Sequence, residues 1–158
     1  RAELGKLYWR ERGPTESTEF SMTRFLVPAL SRYRGWSLYL DCDMLCRADI
    51  AQLASLADDE KGVLVCKHDY VPRTTRKFLD QVQTKYTRKN WSSLMLFNNE
   101  RCRSLTADYV NAASGLELHR FAWIDDAAIG LGAAELPRPA RTAMRLAAKV
   151  MTTVAYRL

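Results

Sequence analysis

The chain has 158 residues, 47% of them apolar, which excludes a disordered or fibrous protein and suffices for one folded domain. No apolar run reaches the roughly 18 residues of a membrane span. The N-terminus carries charges where a signal peptide needs an apolar centre, so we expect a soluble, cytoplasmic protein. Most of the net charge of +6 comes from five cations after Glu135, so it predicts no specific nucleic-acid partner.

The first predicted element is a helix over residues 17–33, where apolar residues recur on one helical face. Ser17 or Thr18 is available as its N-cap. Pro28 removes one backbone donor, so we expect a kink there.

Three buried strands are predicted next. They are "WSLYL" at 36–40, "GVLVC" from 62 and "SLMLFNN" from 93, each short, apolar and followed by polar residues. Helical spacing at 49–60 and a short helix closed by Gly115 alternate with them. This alternation predicts an α/β sheet, with ligands beyond the carboxyl ends of its strands.

Asp41 and Asp43 follow the first strand with Cys42 between them. Carboxylates two positions apart on an extended segment point the same way, so they can share one hard cation such as Mg²⁺ or Mn²⁺. Phosphate oxygens of a substrate would complete the shell. The alternative is that both carboxylates cap the following turn and helix.

The four cysteines fit reduced thiols in the core better than a metal site. They are Cys42, Cys46, Cys66 and Cys102. The first three could form a metal site with His68, but Cys-x3-Cys followed by Cys-x-His is not a usual zinc spacing.

Three segments, in this order, carry a resemblance to a known family: "TRFLVPAL…GWSLYLDCDMLCRADIAQL", "NWSSLMLFNNE" and "WIDDAAIG". From about residue 17 to 130 the chain resembles the family 8 glycosyltransferases, the glycogenin-like and lipopolysaccharide glycosyltransferase-like enzymes. The resemblance implies a GT-A fold, a Rossmann-like mixed sheet flanked by helices. It also implies transfer of a sugar from a nucleotide-sugar donor, with UDP as the expected nucleotide, to an acceptor that is a glycan, a lipid or a protein.

The resemblance also implies roles for individual residues. Asp41 and Asp43 match the Asp-x-Asp motif that holds Mn²⁺, or Mg²⁺, against the donor diphosphate. Arg24 matches an arginine that reaches the donor sugar. The family's asparagine-containing strand entry corresponds to three further donor-binding positions, which are Asn90, Ser92 and Ser93. Asn90 stands one position early and Ser93 replaces a glycine.

Asp125 and Asp126 match the segment that lies near the reacting sugar, and they are the predicted catalytic residues. Asp126 stands where the family has glutamine. Paired carboxylates can bind sugar hydroxyls or stabilise an oxocarbenium-like centre. The alternative is that both residues only start a helix at Ala127.

Two departures from the family pattern predict a partial domain. The histidine expected as a third metal ligand after the acidic pair is missing, and the sequence opens past the first nucleotide-binding strand. We therefore expect a partial GT-A-like domain over residues 1–136, followed by a basic helical tail over 137–158. The tail is either a non-homologous extension, for example from a frameshift, or a peripheral membrane contact.

Two other functions stay open at this stage. The chain is either a degenerate module that binds the donor without turnover, or a haloacid-dehalogenase-like phosphatase. In the phosphatase, Asp41 is the nucleophile and Asp43 the general acid and base.

Overall fold

The computed structural model describes residues 7–13, 16, 18–42, 44, 49–67, 88 and 91–132. Within these ranges four strands form one sheet: β1 (Trp36–Leu40), β2 (Val63–Lys67), β3 (Leu94–Asn98) and β4 (Ile129–Gly132). The α-helices are short: α1 (Val27–Leu30), α2 (Ala51–Ala54), α3 (Ala107–Ala112) and α4 (Gly115–His119). Single 3-10 turns cover Thr23–Leu26, Trp91–Ser93, Asn99–Arg101 and Asp126–Ala128.

The sheet is mixed, with the strand order β1-β3-β2-β4. Strand β3 runs antiparallel to both β1 and β2, whereas β4 runs parallel to β2. Strands β1 and β2 therefore end at the edge where β3 begins. We call this the carboxyl edge, and the opposite one the amino edge. A mixed sheet with helices confirms the general α/β class.

Side chains alternate between the two faces of the sheet along each strand. Both faces pack against other residues. One face carries the main core, which the sheet residues share with helix and turn residues such as Phe25, Leu26, Val110, Leu118 and Phe121. On the opposite face, Leu94 packs with Leu38, Leu40, Leu53 and Leu56. Each fully buried side chain of this size contributes roughly 1.5–3 kcal/mol.

The predicted start of the first helix is wrong. The 3-10 turn begins at Thr23, and Met22 precedes it without a side-chain cap. Thr18 instead forms a local turn with Ser21, whose hydroxyl donates to the Thr18 carbonyl at 3.0 Å. Pro28 lies in the first turn of α1. A backbone N–H at this position has no acceptor within the helix, so the proline costs no hydrogen bond and interrupts no helix interior.

Gly115 does not close a helix, as the sequence predicts, but begins α4. Ser114 caps this helix by accepting the N–H of Glu117 at 3.1 Å. Strand β4 was not predicted, because the glycines of "IGLG" lower its strand propensity and its order depends on pairing with β2.

No helix in the described ranges is long and apolar enough to cross a membrane. The predicted tail at 137–158 lies outside the described residues.

Candidate functional site

Asp41 lies at the carboxyl edge, directly after β1. Its backbone N–H donates to the carbonyl of Ser93 at 3.0 Å, which extends the pairing of β1 with β3 by one step. The side chain alternates with Leu40 and so shares the face of Tyr39, which packs against the main core. Only 18% of the Asp41 side chain is exposed, so its carboxylate stands in a defined, partly desolvated position.

Arg24 fixes this carboxylate from the 3-10 turn that precedes α1. Its Nη1 lies 3.0 Å from Oδ1 of Asp41 and donates to the carbonyl of Ser92 at 2.9 Å. Its Nε donates to the carbonyl of Ser21 at 2.8 Å. The guanidinium also lies over the ring of Tyr39, 5.1 Å from its centroid. Arg24 therefore binds the Asp41 carboxylate and two backbone carbonyls, those of Ser21 and Ser92.

Tyr39 is a second donor to Asp41 that the sequence did not single out. Its hydroxyl donates to Oδ1 of Asp41 at 2.9 Å. Burial raises the pKa of Tyr39 to about 12; Arg24 lowers this pKa, whereas the charge of Asp41 and its hydrogen bond raise it further. The phenol therefore keeps its proton at neutral pH and stays a donor. The signal in the sequence was its position two residues before Asp41 on the same strand face.

Ser92 and Ser93 lie in the turn that leads into β3, and both are buried. The hydroxyl of Ser92 lies 2.7 Å from Nδ1 of His119, at the end of α4. The edge of the His119 ring meets Phe25, with ring centroids 5.4 Å apart. The structure thus brings α4 against the same turn that holds Asp41 and Arg24.

Trp91 begins this turn, and two cations lie near its ring. The Nζ of Lys67, the last residue of β2, is 5.9 Å from the indole centroid. The guanidinium carbon of Arg88 is 5.8 Å from it. Trp91 also packs against Phe121.

Asp125 and Asp126 do not lie beside Asp41. They precede β4, whose first residue Ile129 pairs with Val63, the first residue of β2, so their backbone lies towards the amino edge. Asp125 directly precedes the short 3-10 turn Asp126–Ala128 and Asp126 is its first residue. Asp125 makes no side-chain cap there.

The two acidic side chains occupy different surroundings. Asp125 lines an open cleft of about 470 Å³ at the amino edge, together with Arg101 and Trp123. Asp126 is 80% exposed at its side chain, and its Oδ1 pairs with Nη2 of Arg88 at 2.5 Å. Through Arg88, Asp126 is connected to Trp91.

Of the predicted site residues, the structure gathers Arg24, Asp41, Ser92 and Ser93. Asp43 and Asn90 lie outside the described residues.

The chemistry of Asp41 fits a hard divalent cation, because a carboxylate oxygen is the ligand that Mg²⁺ and Mn²⁺ prefer. Oδ1 is engaged by Arg24 and Tyr39, whereas no described residue donates to Oδ2. Within the described ranges, which omit Asp43, no three His, Cys, Asp or Glu residues form a cluster. Of the two predicted ligands, Asp41 and Asp43, the structure describes only Asp41.

The described cysteines are free thiols. Cys102 is buried and its thiol donates to the carbonyl of Gly62 at 3.1 Å; burial raises its pKa to about 12. Burial also raises the pKa of Cys66. Cys42 is exposed, so the prediction that it is a core residue is wrong. Cys46 and His68 lie outside the described residues.

Comparison with known proteins gives two partial matches. The chain is 50% identical over 126 residues to Protein CDI of Arabidopsis thaliana, a match that covers 78% of this chain and 49% of that protein. The chain therefore spans about half the length of this relative. A second match, to 3-demethoxyubiquinol 3-hydroxylase of Variovorax paradoxus, is 68% identical over 31 residues, or 20% of this chain and 15% of that enzyme. No family model matches the sequence, and no solved structure matches it significantly.

Proposed function

We propose that the chain is a metal-dependent glycosyltransferase of the family 8 type, with a GT-A architecture, which transfers a sugar from a UDP-sugar to an acceptor. One observation carries the proposal. Asp41, the first aspartate of the Asp-x-Asp motif, lies at the carboxyl edge with its carboxylate held by Arg24 at 3.0 Å and Tyr39 at 2.9 Å. Ligands of open α/β sheets bind at such strand ends.

Asp41 is the residue that would hold Mn²⁺ or Mg²⁺, with Asp43 as the second expected ligand. When bound, the cation supplies the positive charge that stabilises a departing diphosphate. The contribution of the chain is to orient the ligand. Because Arg24 and Tyr39 both engage Oδ1, the carboxylate does not need to reorganise when the donor binds.

Arg24 has a different part in this proposal from the one that the resemblance implies. Its guanidinium is committed to Asp41 and to two backbone carbonyls, so it positions the metal ligand. Direct contact with the donor sugar would require it to leave these partners.

Of the acidic pair, Asp126 is the better candidate for a catalytic residue. Its carboxylate is largely exposed, and Arg88 connects it to Trp91 at the turn that begins β3. Asp125 instead lines the cleft at the amino edge.

Turnover assays test this function. With Mn²⁺ present, the protein should release UDP from a UDP-sugar, slowly with water as the acceptor, and Asp41→Asn should abolish the release. Asp58→Asn is the matched control, because Asp58 is an exposed carboxylate whose Oδ1 accepts only the N–H of Glu60. Phosphatase turnover on a phosphate monoester, lost in Asp41→Asn, would overturn the proposal. Binding of UDP without any turnover would favour the module that retains only donor affinity.

A further inference from the structure

Lys67 and Arg88 bring two positive charges to one indole ring. Their cationic groups lie 5.9 Å and 5.8 Å from the centroid of Trp91, which is within the range of cation–π attraction. Both residues are partly buried, so their charges are less screened by water than those of fully exposed side chains. The resemblance assigns no role to Lys67 or Arg88.

These cations lie at the far end of the carboxyl edge from Asp41. Strand β3 separates β1 from β2, so the ends of β1 and β2 are about 10 Å apart, two strand spacings. Strand β2 is irregular between Leu64 and Lys67, but the Nζ of Lys67 lies 5.9 Å from the ring of Trp91, which packs against the main core as Tyr39 does, so Lys67 shares the face of Tyr39 and Asp41. The three groups therefore form a row along one face: Asp41 at one end, Trp91 in the middle, and the cations at the other end.

Both cations also have partners within the protein. The Nζ of Lys67 donates to the carbonyl of Ile129 in β4 at 2.7 Å. Arg88 donates to the carbonyl of Arg120 at 2.7 Å and pairs with Asp126. Because about 10 Å separates the ends of β1 and β2, we assign these cations to a ligand group other than a diphosphate held at Asp41.

The charge at this end of the row is incompletely compensated. No carboxylate in the described part of the chain pairs with Lys67. The carboxylate that pairs with Arg88 belongs to Asp126, which is 80% exposed, and such exposed pairs are weak and exchange readily. The Nζ of Lys67 and the guanidinium of Arg88 lie 5.9 Å and 5.8 Å from the same indole centroid, so one anion at the margin of this ring is attracted by both charges.

We propose that Lys67 and Arg88 bind an anionic group on the acceptor, while the sugar ring that carries this group lies against Trp91. The anion is a phosphate monoester or a sugar carboxylate, since either oxyanion accepts charge-assisted hydrogen bonds from lysine and arginine. That the bound anion belongs to the acceptor rests on the proposed function. The anion site itself rests on the geometry of Lys67, Arg88 and Trp91.

Calorimetric titration with three probes tests this site. Glucose 6-phosphate represents the phosphate, glucuronate the carboxylate, and glucose the uncharged ring. The unmodified protein should bind at least one of the two anions about tenfold or more tightly than glucose. Which anion it prefers then identifies the chemistry of the acceptor.

Four variants locate the effect. Lys67→Met and Arg88→Gln should each reduce the affinity for the preferred anion about tenfold and leave that for UDP with Mn²⁺ unchanged. Lys61→Met is the matched control for the lysine, because the Nζ of Lys61 also donates to a backbone carbonyl, that of Ala127, at 2.9 Å. Arg103→Gln is the control for the arginine, because Arg103 lies over Tyr33 at 5.7 Å, outside this row. Both controls should bind the anion as the unmodified protein does.

Equal binding of the anions and glucose, or no effect of Lys67→Met and Arg88→Gln in variants whose circular dichroism is unchanged, would overturn the proposal. A loss of UDP affinity in Lys67→Met would also overturn it, because the lysine would then serve the donor. Binding of a single-stranded oligonucleotide, with the same dependence on Lys67 but without sugar-anion binding, would replace it by a nucleic-acid surface. If UDP does not bind at all while the anion binds through Lys67, the glycosyltransferase proposal fails and the anion site stands.

Discussion

The guanidinium of Arg24 lies 3.0 Å from Oδ1 of Asp41, and the same Nη1 donates to the carbonyl of Ser92. One side chain therefore connects the turn before α1, the end of β1 and the turn before β3. Because both side chains are partly buried, the pair is less screened by water than a surface salt bridge.

Replacing Arg24 should destabilise the fold as well as disturb the site. We expect Arg24→Gln to lower the free energy of unfolding by about 1–3 kcal/mol, because Asp41 keeps a partly buried charge without its cation and two carbonyls lose a charged donor. Urea denaturation measures the change. Arg103→Gln should change it by less than about 0.5 kcal/mol, since Arg103 is exposed. Equal stability of the two variants would show that the Arg24 pair contributes nothing.

The raised tyrosine pKa values predict a loss of stability at alkaline pH. Tyr39 and Tyr109 have pKa values of about 12 in the folded protein against 10.0 for an ordinary tyrosine. Between these values the unfolded chain has lost protons that the folded chain retains, so the free energy of unfolding falls as the pH rises from 10 towards 12. Denaturation at several pH values should show this fall, and Tyr39→Phe should make it shallower. A slope that Tyr39→Phe leaves unchanged would contradict the assignment.

A buried ion pair attaches the N-terminal segment to the core. Nη2 of Arg10 lies 2.5 Å from Oε1 of Glu16, with side chains 9% and 6% exposed, and Nη1 of Arg10 donates to the carbonyls of Val110 and Ala113. Glu16→Gln leaves the Arg10 charge without its carboxylate, so we expect a loss of about 3–5 kcal/mol in denaturation experiments. Glu19→Gln is the control, because Glu19 is exposed. A loss below about 1 kcal/mol for Glu16→Gln would mean that the pair is not formed.

The two acidic residues before β4 should differ in their effect on turnover. Asp126→Asn should lower kcat about 100-fold or more if this carboxylate acts on the reacting sugar. Its effect on stability should stay below about 1 kcal/mol, since its pair with Arg88 is exposed. Asp125→Asn should affect kcat far less, because Asp125 lies in the cleft at the amino edge. The reverse order of effects on kcat would assign the reaction to that cleft.

Much of the sheet could be predicted from the sequence, because β1, β2 and β3 are compact apolar runs between polar residues. Strand β4 could not, since its glycines carry little strand propensity and its place comes from pairing with β2. The start of the first helix was misplaced, because Thr18 and Ser21 hydrogen-bond each other in a local turn and the 3-10 turn begins only at Thr23.

Of this site, Asp41 could be predicted from the sequence, but the residues that surround it could not. Asp41 follows directly from a strand that ends in a carboxylate. Tyr39, Trp91 and His119 were given no role; they join the site because the strand face, the turn before β3 and the end of α4 meet only in the folded chain. For the same reason, spacing alone did not show that the backbone of Asp125 and Asp126 lies towards the amino edge of the sheet, whereas Asp41 lies at the carboxyl edge.

The most direct test of the central claim is a calorimetric titration of UDP into the protein with and without Mn²⁺. The account predicts binding that requires Mn²⁺, an affinity about tenfold or more weaker in Asp41→Asn, and unchanged affinity in Asp58→Asn. UDP binding that is indifferent to Mn²⁺ and to Asp41→Asn, or no UDP binding by the folded protein, would contradict a metal-dependent nucleotide-sugar site at the end of β1.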